Sequence, residues 1–184
     1  MNKRLIFDDV KIIELTEHKD SRGFFKETYN KKLLSKFDIS NDFIQDNESF
    51  SLKKNTLRGM HFQLCPDDQS KLIRVISGKI YDVFIDLRKN SPKYLSYDFC
   101  ELTQDTGALY IPSGFAHGFL TLSDNTIVNY KVDKYYNKGL ELGIKWNDPF
   151  FAIKWPVESN DICLSEKDNE LPLWSEIENK VLFN

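Results

Sequence analysis

Cysteine and histidine are scarce, at three residues each among 184, and this scarcity removes several chemistries at the outset. Cys65, Cys100 and Cys163 are odd in number and widely spaced, which supports neither a disulfide framework nor a CxxC metal site. They are read as thiols outside any disulfide. There is no basic surplus: the formal net charge is -3, so nothing draws the chain as a whole to a nucleic-acid backbone or an anionic membrane surface. Anion binding is left to local arginines. No apolar run approaches the roughly 18 residues of a membrane span. The opening MNKRLIFDDVKIIELTEHKD holds neither a long apolar segment nor a small-residue cleavage site. A cytoplasmic protein with no nucleic-acid or membrane partner is expected. Repeats, low-complexity tracts and linkers are also missing. With 41% hydrophobic and 14% aromatic content, residues 1–184 are read as one domain with a single well-filled core.

Helical patterns are few. Most of the chain alternates short apolar runs with turn residues, the pattern of a sandwich or barrel. In KIYDVFIDLR, Tyr81, Val83, Ile85 and Leu87 share one face and Asp82, Phe84 and Asp86 the other, a period of two. KLIRVISG precedes it, with Ser77-Gly78 as the turn, and GALYIPSGFAHGFLTLS and NTIVNYKVDKYY supply two more strand-like segments. Short helices are expected in NKKLLSKFD, where Leu33, Leu34 and Phe37 form a stripe, and in the tail beginning near Pro172.

The stretch LRGMHFQ at 57–63 places Arg58 and His61 among apolar neighbours, where a positive charge is costly unless something pairs with it. A bound anion is one partner. Strict alternation sends Arg58 and His61 to opposite faces, unless Gly59 makes a bulge that aims both into one cavity. Each has an ordinary reading too, His61 as a structural imidazole and Arg58 as a packed stem with a solvated head. Lys71 opens the next strand after LCPDDQS; a hairpin return brings its ammonium beside His61, where it can hold developing negative charge. Tyr130 in VNYKV is an ordinary core aromatic or a pocket wall. Asp168 in LSEKDNELP reads locally as a helix-start carboxylate, and acts on His61 only if the fold brings the two together. In RGFFKE at 22–27, Arg22 is either part of a loop-to-strand entry or a grip for an anion.

IPSGFAHGF at 111–119 contains P-x-G-x-x-H, which resembles the second motif of the cupin barrels. Metal-binding cupins carry an H-x-H pair in their first motif, and here Phe62 and Gln63 follow His61. No metal site is expected.

Beyond single motifs, the chain resembles the dTDP-4-dehydrorhamnose 3,5-epimerase (RmlC) family. The resemblance runs through DSRGFFKE, FIQDN, LRGMHFQ, the Lys71 strand, DLRKNSP, IPSGFAHGF, NYKVDKYY, KWNDP and LSEKD. It implies an all-β, cupin-type jelly-roll barrel with short flanking helices, no cofactor, and a homodimer with exchanged N-terminal strands. The apolar run LIFDDVKIIEL is suited to join a neighbour's sheet. By the same resemblance His61 is the general base, Lys71 the oxyanion holder, Tyr130 the proton donor and Asp168 the partner of the base. Arg22, Glu27, Gln45, Asp46, Asn47, Arg58, His117, Glu141 and Lys167 match positions that line the nucleotide-sugar site. The implied reaction is inversion at C3 and/or C5 of a 4-keto-6-deoxy nucleotide sugar, in the synthesis of surface polysaccharide. LCPDDQS, with Cys65 and two acidic residues, and YLSYDFCEL, one residue short, depart from the family's commoner forms. A single-carbon epimerase, a keto-sugar isomerase and a non-catalytic nucleotide-sugar binder stand as the alternatives.

Overall fold

The computed structural model describes residues 5–183. Its strands, in chain order, are β1 (Lys11–Ile13), β2 (Glu17–Asp20), β3 (Gly23–Lys26), β4 (Gln45–Ser51), β5 (Leu57–Gln63), β6 (Lys71–Ser77), β7 (Lys79–Asp86), β8 (Tyr97–Thr103), β9 (Ala108–Ile111), β10 (Phe115–Thr121), β11 (Thr126–Val132) and β12 (Glu141–Gly143). Among the described residues three short α-helices flank them: α1 (Lys31–Ser35), α2 (Glu166–Asn169) and α3 (Trp174–Ile177). The strands form two five-stranded antiparallel sheets, ordered β1-β9-β6-β11-β4 and β12-β5-β10-β7-β8, with β2 and β3 as a separate hairpin. This is the cupin-type jelly roll with short flanking helices that the resemblance implied.

The period of two in β7 explains how the sheets pack. Tyr81, Val83 and Ile85 join a core on the outer side of the second sheet with Trp174, Ile177, Val181 and Phe183, so the C-terminal tail covers that face. Ile80 and Phe84 point the other way, into a core shared with Ile73, Val75, Leu109, Phe119 and Val128. Both faces of β7 are thus buried, and withdrawing a side chain such as Phe84 from water contributes about 2 kcal/mol. The carboxylate on the inner face, Asp82, is shut between the sheets with no exposed surface.

The chain repeatedly changes sheet. β5 and β6 belong to different sheets, so the return from His61 to Lys71 is a crossover rather than a hairpin. β1 pairs with β9 of its own chain, so Lys11–Ile13 of the apolar N-terminal run already has a sheet. Asn30 starts α1 by accepting hydrogen bonds from Lys32 N and Leu33 N, and Leu34 packs against Leu72 and Tyr110 on the outer face of the first sheet.

Candidate active site

Gly59 sets the geometry of β5. In the β5–β10 ladder His61 faces His117 and Arg58 faces Phe119, so three steps along β5 match two along β10. The extra residue is a bulge, and it brings Arg58 and His61, which strict alternation would separate, to one cavity. Gly59 has φ +121°, and a Cβ there would stand 2.5 Å from Gly118 Cα. Neither the conformation nor the space admits a side chain.

The cavity has a volume of about 280 Å³. The second sheet contributes Arg58, His61, His117 and Phe119, and the first contributes Ser49, Lys71, Ile73, Val128 and Tyr130; Ser165, Lys167 and Asp168 close it from the tail. His61 Nε2 lies 2.7 Å from Asp168 Oδ1, with the imidazole side chain 29% exposed and the carboxylate 7%. Asp168 is placed by α2, whose N-cap Ser165 Oγ accepts from Asp168 N at 3.1 Å. Burial pushes the Asp168 carboxyl up, but the hydrogen bond and charge of His61, with bonds from Ser165 and Gly59 N–H, hold it below the usual carboxylate range. Asp168 is therefore held as an anion, placed to stabilise an imidazolium.

Lys71 is buried, and its Nζ donates to His61 O at 3.5 Å. Burial lowers this ammonium to about 8, against the opposing pull of Asp82 and Glu141. A second imidazole–carboxylate pair lies behind it: His117 Nε2 is 2.9 Å and 3.0 Å from the two oxygens of Asp82. Burial holds His117 below the ordinary imidazole range, which favours a neutral ring donating Nε2–H to the carboxylate. Tyr130 enters from the opposite sheet to His61. Burial raises its phenol above the usual value, Arg58 opposing, so it carries its proton at neutral pH. Arg58 donates to Phe50 O at 3.0 Å and to Ser51 Oγ at 3.3 Å; among the described residues it makes no ion pair.

Of the residues matched by the resemblance, His61, Lys71, Tyr130, Asp168, Arg58, His117 and Lys167 gather around this cavity. Glu141 lies in an adjoining recess, bound by Lys167 Nζ at 2.7 Å and by Tyr136 Oη at 2.7 Å. Gln45 and Asn47 lie on the inward-turned face of β4, where Asn47 stands across from Tyr130 in register. Asp46 alternates to the other face and pairs with Lys131. Arg22 sits in the β2–β3 hairpin with its side chain 88% exposed and paired with Asp20, and Glu27 accepts from Asn30. Within one chain the fold brings neither Arg22 nor Glu27 to the cavity, because the hairpin stands apart from both sheets. Reading the sequence missed Asp82, Ser49 and Ser165. The available signals were a carboxylate within an apolar strand, the period of two running on from Asn47, and a serine three residues before Asp168.

Comparison with known proteins narrows the reading. A profile of the dTDP-4-dehydrorhamnose 3,5-epimerase family matches residues 4–176. The dTDP-4-dehydrorhamnose 3,5-epimerase of Methanothermobacter thermautotrophicus is 45% identical, over 88% of this chain and 87% of its own. Among solved structures, dTDP-4-dehydrorhamnose 3,5-epimerase from Bacillus anthracis str. Ames, with TDP and PPi bound, superposes with a TM-score of 0.88 at 47% identity, covering 94% of this chain and 98% of that one. The dTDP-6-deoxy-D-glucose-3,5-epimerase from Legionella pneumophila, in complex with dTDP-4-keto-L-rhamnose, gives a TM-score of 0.91 at 35% identity, covering 100% and 97%. Fold and relatives together make this protein a cupin-type isomerase. More narrowly, the chain belongs to the dTDP-4-dehydrorhamnose 3,5-epimerase family.

Proposed function

We propose that the protein inverts C3 and C5 of the sugar in dTDP-4-dehydro-6-deoxy-glucose, giving dTDP-4-dehydrorhamnose. The observation that carries this reading is the His61–Asp168 contact of 2.7 Å, on a cavity that Lys71 and Tyr130 enter from the other sheet. A 4-keto group acidifies the C–H bonds at C3 and C5, since loss of either proton gives an enolate delocalised onto O4. His61 takes the proton, and Asp168 stabilises the imidazolium that forms. Lys71 holds the O4 oxyanion; one such donor is typically worth about 3 kcal/mol. Tyr130 returns a proton to the opposite face, which inverts the carbon. Proton transfer of this kind draws on no redox cofactor.

Arg58 grips the diphosphate, with Lys167, Glu141, Gln45, Asn47 and His117 around the rest of the nucleotide sugar. The active unit is a homodimer in a single-domain cytoplasmic enzyme that supplies sugar for surface polysaccharide. Its N-terminal strands are exchanged, so that Arg22 and Glu27, remote from their own cavity, complete the neighbour's, and Asp46 lies near the junction. Among the described residues no helix is long and apolar enough to cross a membrane.

Incubation with the 4-keto nucleotide sugar in deuterated water, followed by NMR, tests the reaction directly. Deuterium at both C3 and C5 of an inverted product is expected. Exchange at neither carbon defeats the reading, and exchange at one alone replaces it with a single-carbon epimerase.

A further inference from the structure

Inversion leaves its two protein groups in the wrong protonation states. Once His61 has taken a proton from carbon and Tyr130 has given one to the opposite face, an imidazolium stands across from a phenolate. Neither can repeat its step, yet the reaction proposed above inverts two carbons. A proton has to travel from His61 to Tyr130 by a route that avoids the sugar. That transfer runs downhill, since an imidazolium is a much stronger acid than a phenol.

The recess beside the main cavity supplies a route. His61, Lys71 and Tyr130 line both spaces, and the recess, of about 140 Å³, has room for several water molecules. Lys71 is committed to the oxyanion. Gln63 and Gln69 spend their side-chain N–H groups on the carbonyls of Asp67, Tyr135 and Lys134. Glu141 and Tyr136 remain. In the β12–β5 ladder Gly143 is across from His61 and Glu141 across from Gln63, so Glu141 is the diagonal neighbour of His61 on one face, within reach of a long side chain. Its carboxylate accepts from Tyr136 Oη and from Lys167 Nζ, each at 2.7 Å. Burial pushes this carboxyl up, but those two bonds hold it below the usual range, so it stands as an anion able to take a proton in passing. Its charge also acts on Lys71 and on Tyr130.

We propose that Glu141 carries the proton back from His61 to Tyr130 between the two inversions, while the sugar stays bound. Asp168 holds Nε2 of the ring, so the proton leaves from Nδ1. The Nδ1–H bond breaks and the proton passes through water to a Glu141 carboxylate oxygen; a second transfer through water forms the Tyr130 O–H bond. His61 is neutral again, Tyr130 is a phenol, and water and Glu141 end unchanged. This rests on the two-carbon reading above.

The test compares the parent with Glu141→Gln, which keeps the size and hydrogen bonding of the side chain but takes up no proton, and with Glu141→Ala, which leaves space for formate. Each is mixed in excess over the 4-keto nucleotide sugar in deuterated water, quenched at intervals, and read by NMR for sugar inverted at one carbon and at both. The parent should pass to the doubly inverted product with little of the singly inverted sugar. Both variants should accumulate the singly inverted sugar, the rate of the second inversion relative to the first falling about 10²-fold, the lower end of what a positioned proton carrier contributes. Formate should restore the second inversion in Glu141→Ala and leave Glu141→Gln as it was. Lost folding or lost substrate affinity slows both inversions together, so equal slowing overturns the proposal. A parent-like ratio in both variants, or formate without effect, overturns it too. A parent that inverts one carbon or none defeats the two-carbon reading itself, and the proposal with it.

Discussion

Two imidazole–carboxylate pairs sit within one barrel, and they differ in almost everything except their chemistry. His117 and Asp82 come from neighbouring strands of a single sheet, and Asp82 has no exposed surface. His61 and Asp168 are 107 residues apart in sequence, joined by a strand and a short helix, and the His61 side chain keeps 29% of its surface exposed. The difference teaches how one pairing serves two ends. A carboxylate sealed between sheets must stay paired because desolvation is costly. A carboxylate holding a ring that still reaches the cavity leaves that ring free to accept a proton from a ligand.

The largest expected effect breaks the reactive pair. His61→Asn should lower turnover by about 10²–10⁴-fold, the usual contribution of a positioned base, with deuterium exchange lost alongside inversion. Tyr130→Phe should lower inversion over a similar range yet keep some exchange, because the enolate still forms and His61 reprotonates it on the original face. NMR in deuterated water separates the two. Exchange at the parent rate in His61→Asn, or full inversion in Tyr130→Phe, reverses the assigned roles.

Stability should sort the pairs the other way. Removing one member of a buried pair leaves its partner unsatisfied, so Asp82→Ala should destabilise by about 3 kcal/mol in urea unfolding. Asp168→Ala, beside a ring that water can reach, should cost about 1 kcal/mol while slowing turnover. Equal losses of stability would erase the distinction drawn here.

The arginines sharpen the same contrast. Arg88 is held by Asp86 and Asp9 and lies over the Phe115 ring, whereas among the described residues Arg58 has only a carbonyl and a hydroxyl. Arg58→Ala should weaken dTDP binding by about tenfold or more with little change in melting temperature. Arg88→Ala should lower the melting temperature and leave dTDP affinity near that of the parent. Calorimetry and thermal unfolding of both variants check this.

The smallest effect is a matter of pH. Lys71 is lowered to about 8 in the fold from an ordinary 10.5, so between these values the unfolded chain binds the extra proton. The Lys71 contribution to stability should therefore rise with pH across that window, as folding no longer shuts in a charge. Turnover should fall over the same window, because the neutral amine cannot hold the oxyanion. A pH–rate profile flat to pH 10 would remove Lys71 from the oxyanion role.

What the sequence determined by itself is local. Alternation in KIYDVFIDLR foretold a strand with two distinct faces, Gly59 in LRGMHFQ left a bulge uniting Arg58 with His61 as one of two options, and the ordered motifs carried the resemblance to the family and its jelly roll. Pattern along a strand reports which residues share a face, since side chains alternate whatever the strand's neighbours are. It does not report which strands lie together, because sheet pairing joins residues far apart in sequence. Only the tertiary structure decided that Asp82 pairs with His117 between the sheets and that β5 to β6 is a crossover; it placed at 2.7 Å the Asp168–His61 contact that the resemblance implied. It also decided that Ser49 lines the cavity while Arg22 and Glu27 stay outside it. The β5–β10–β7 pairing and the fold-back of α2 onto β5 bring these groups together, and both depend on burying the two faces of the second sheet at once.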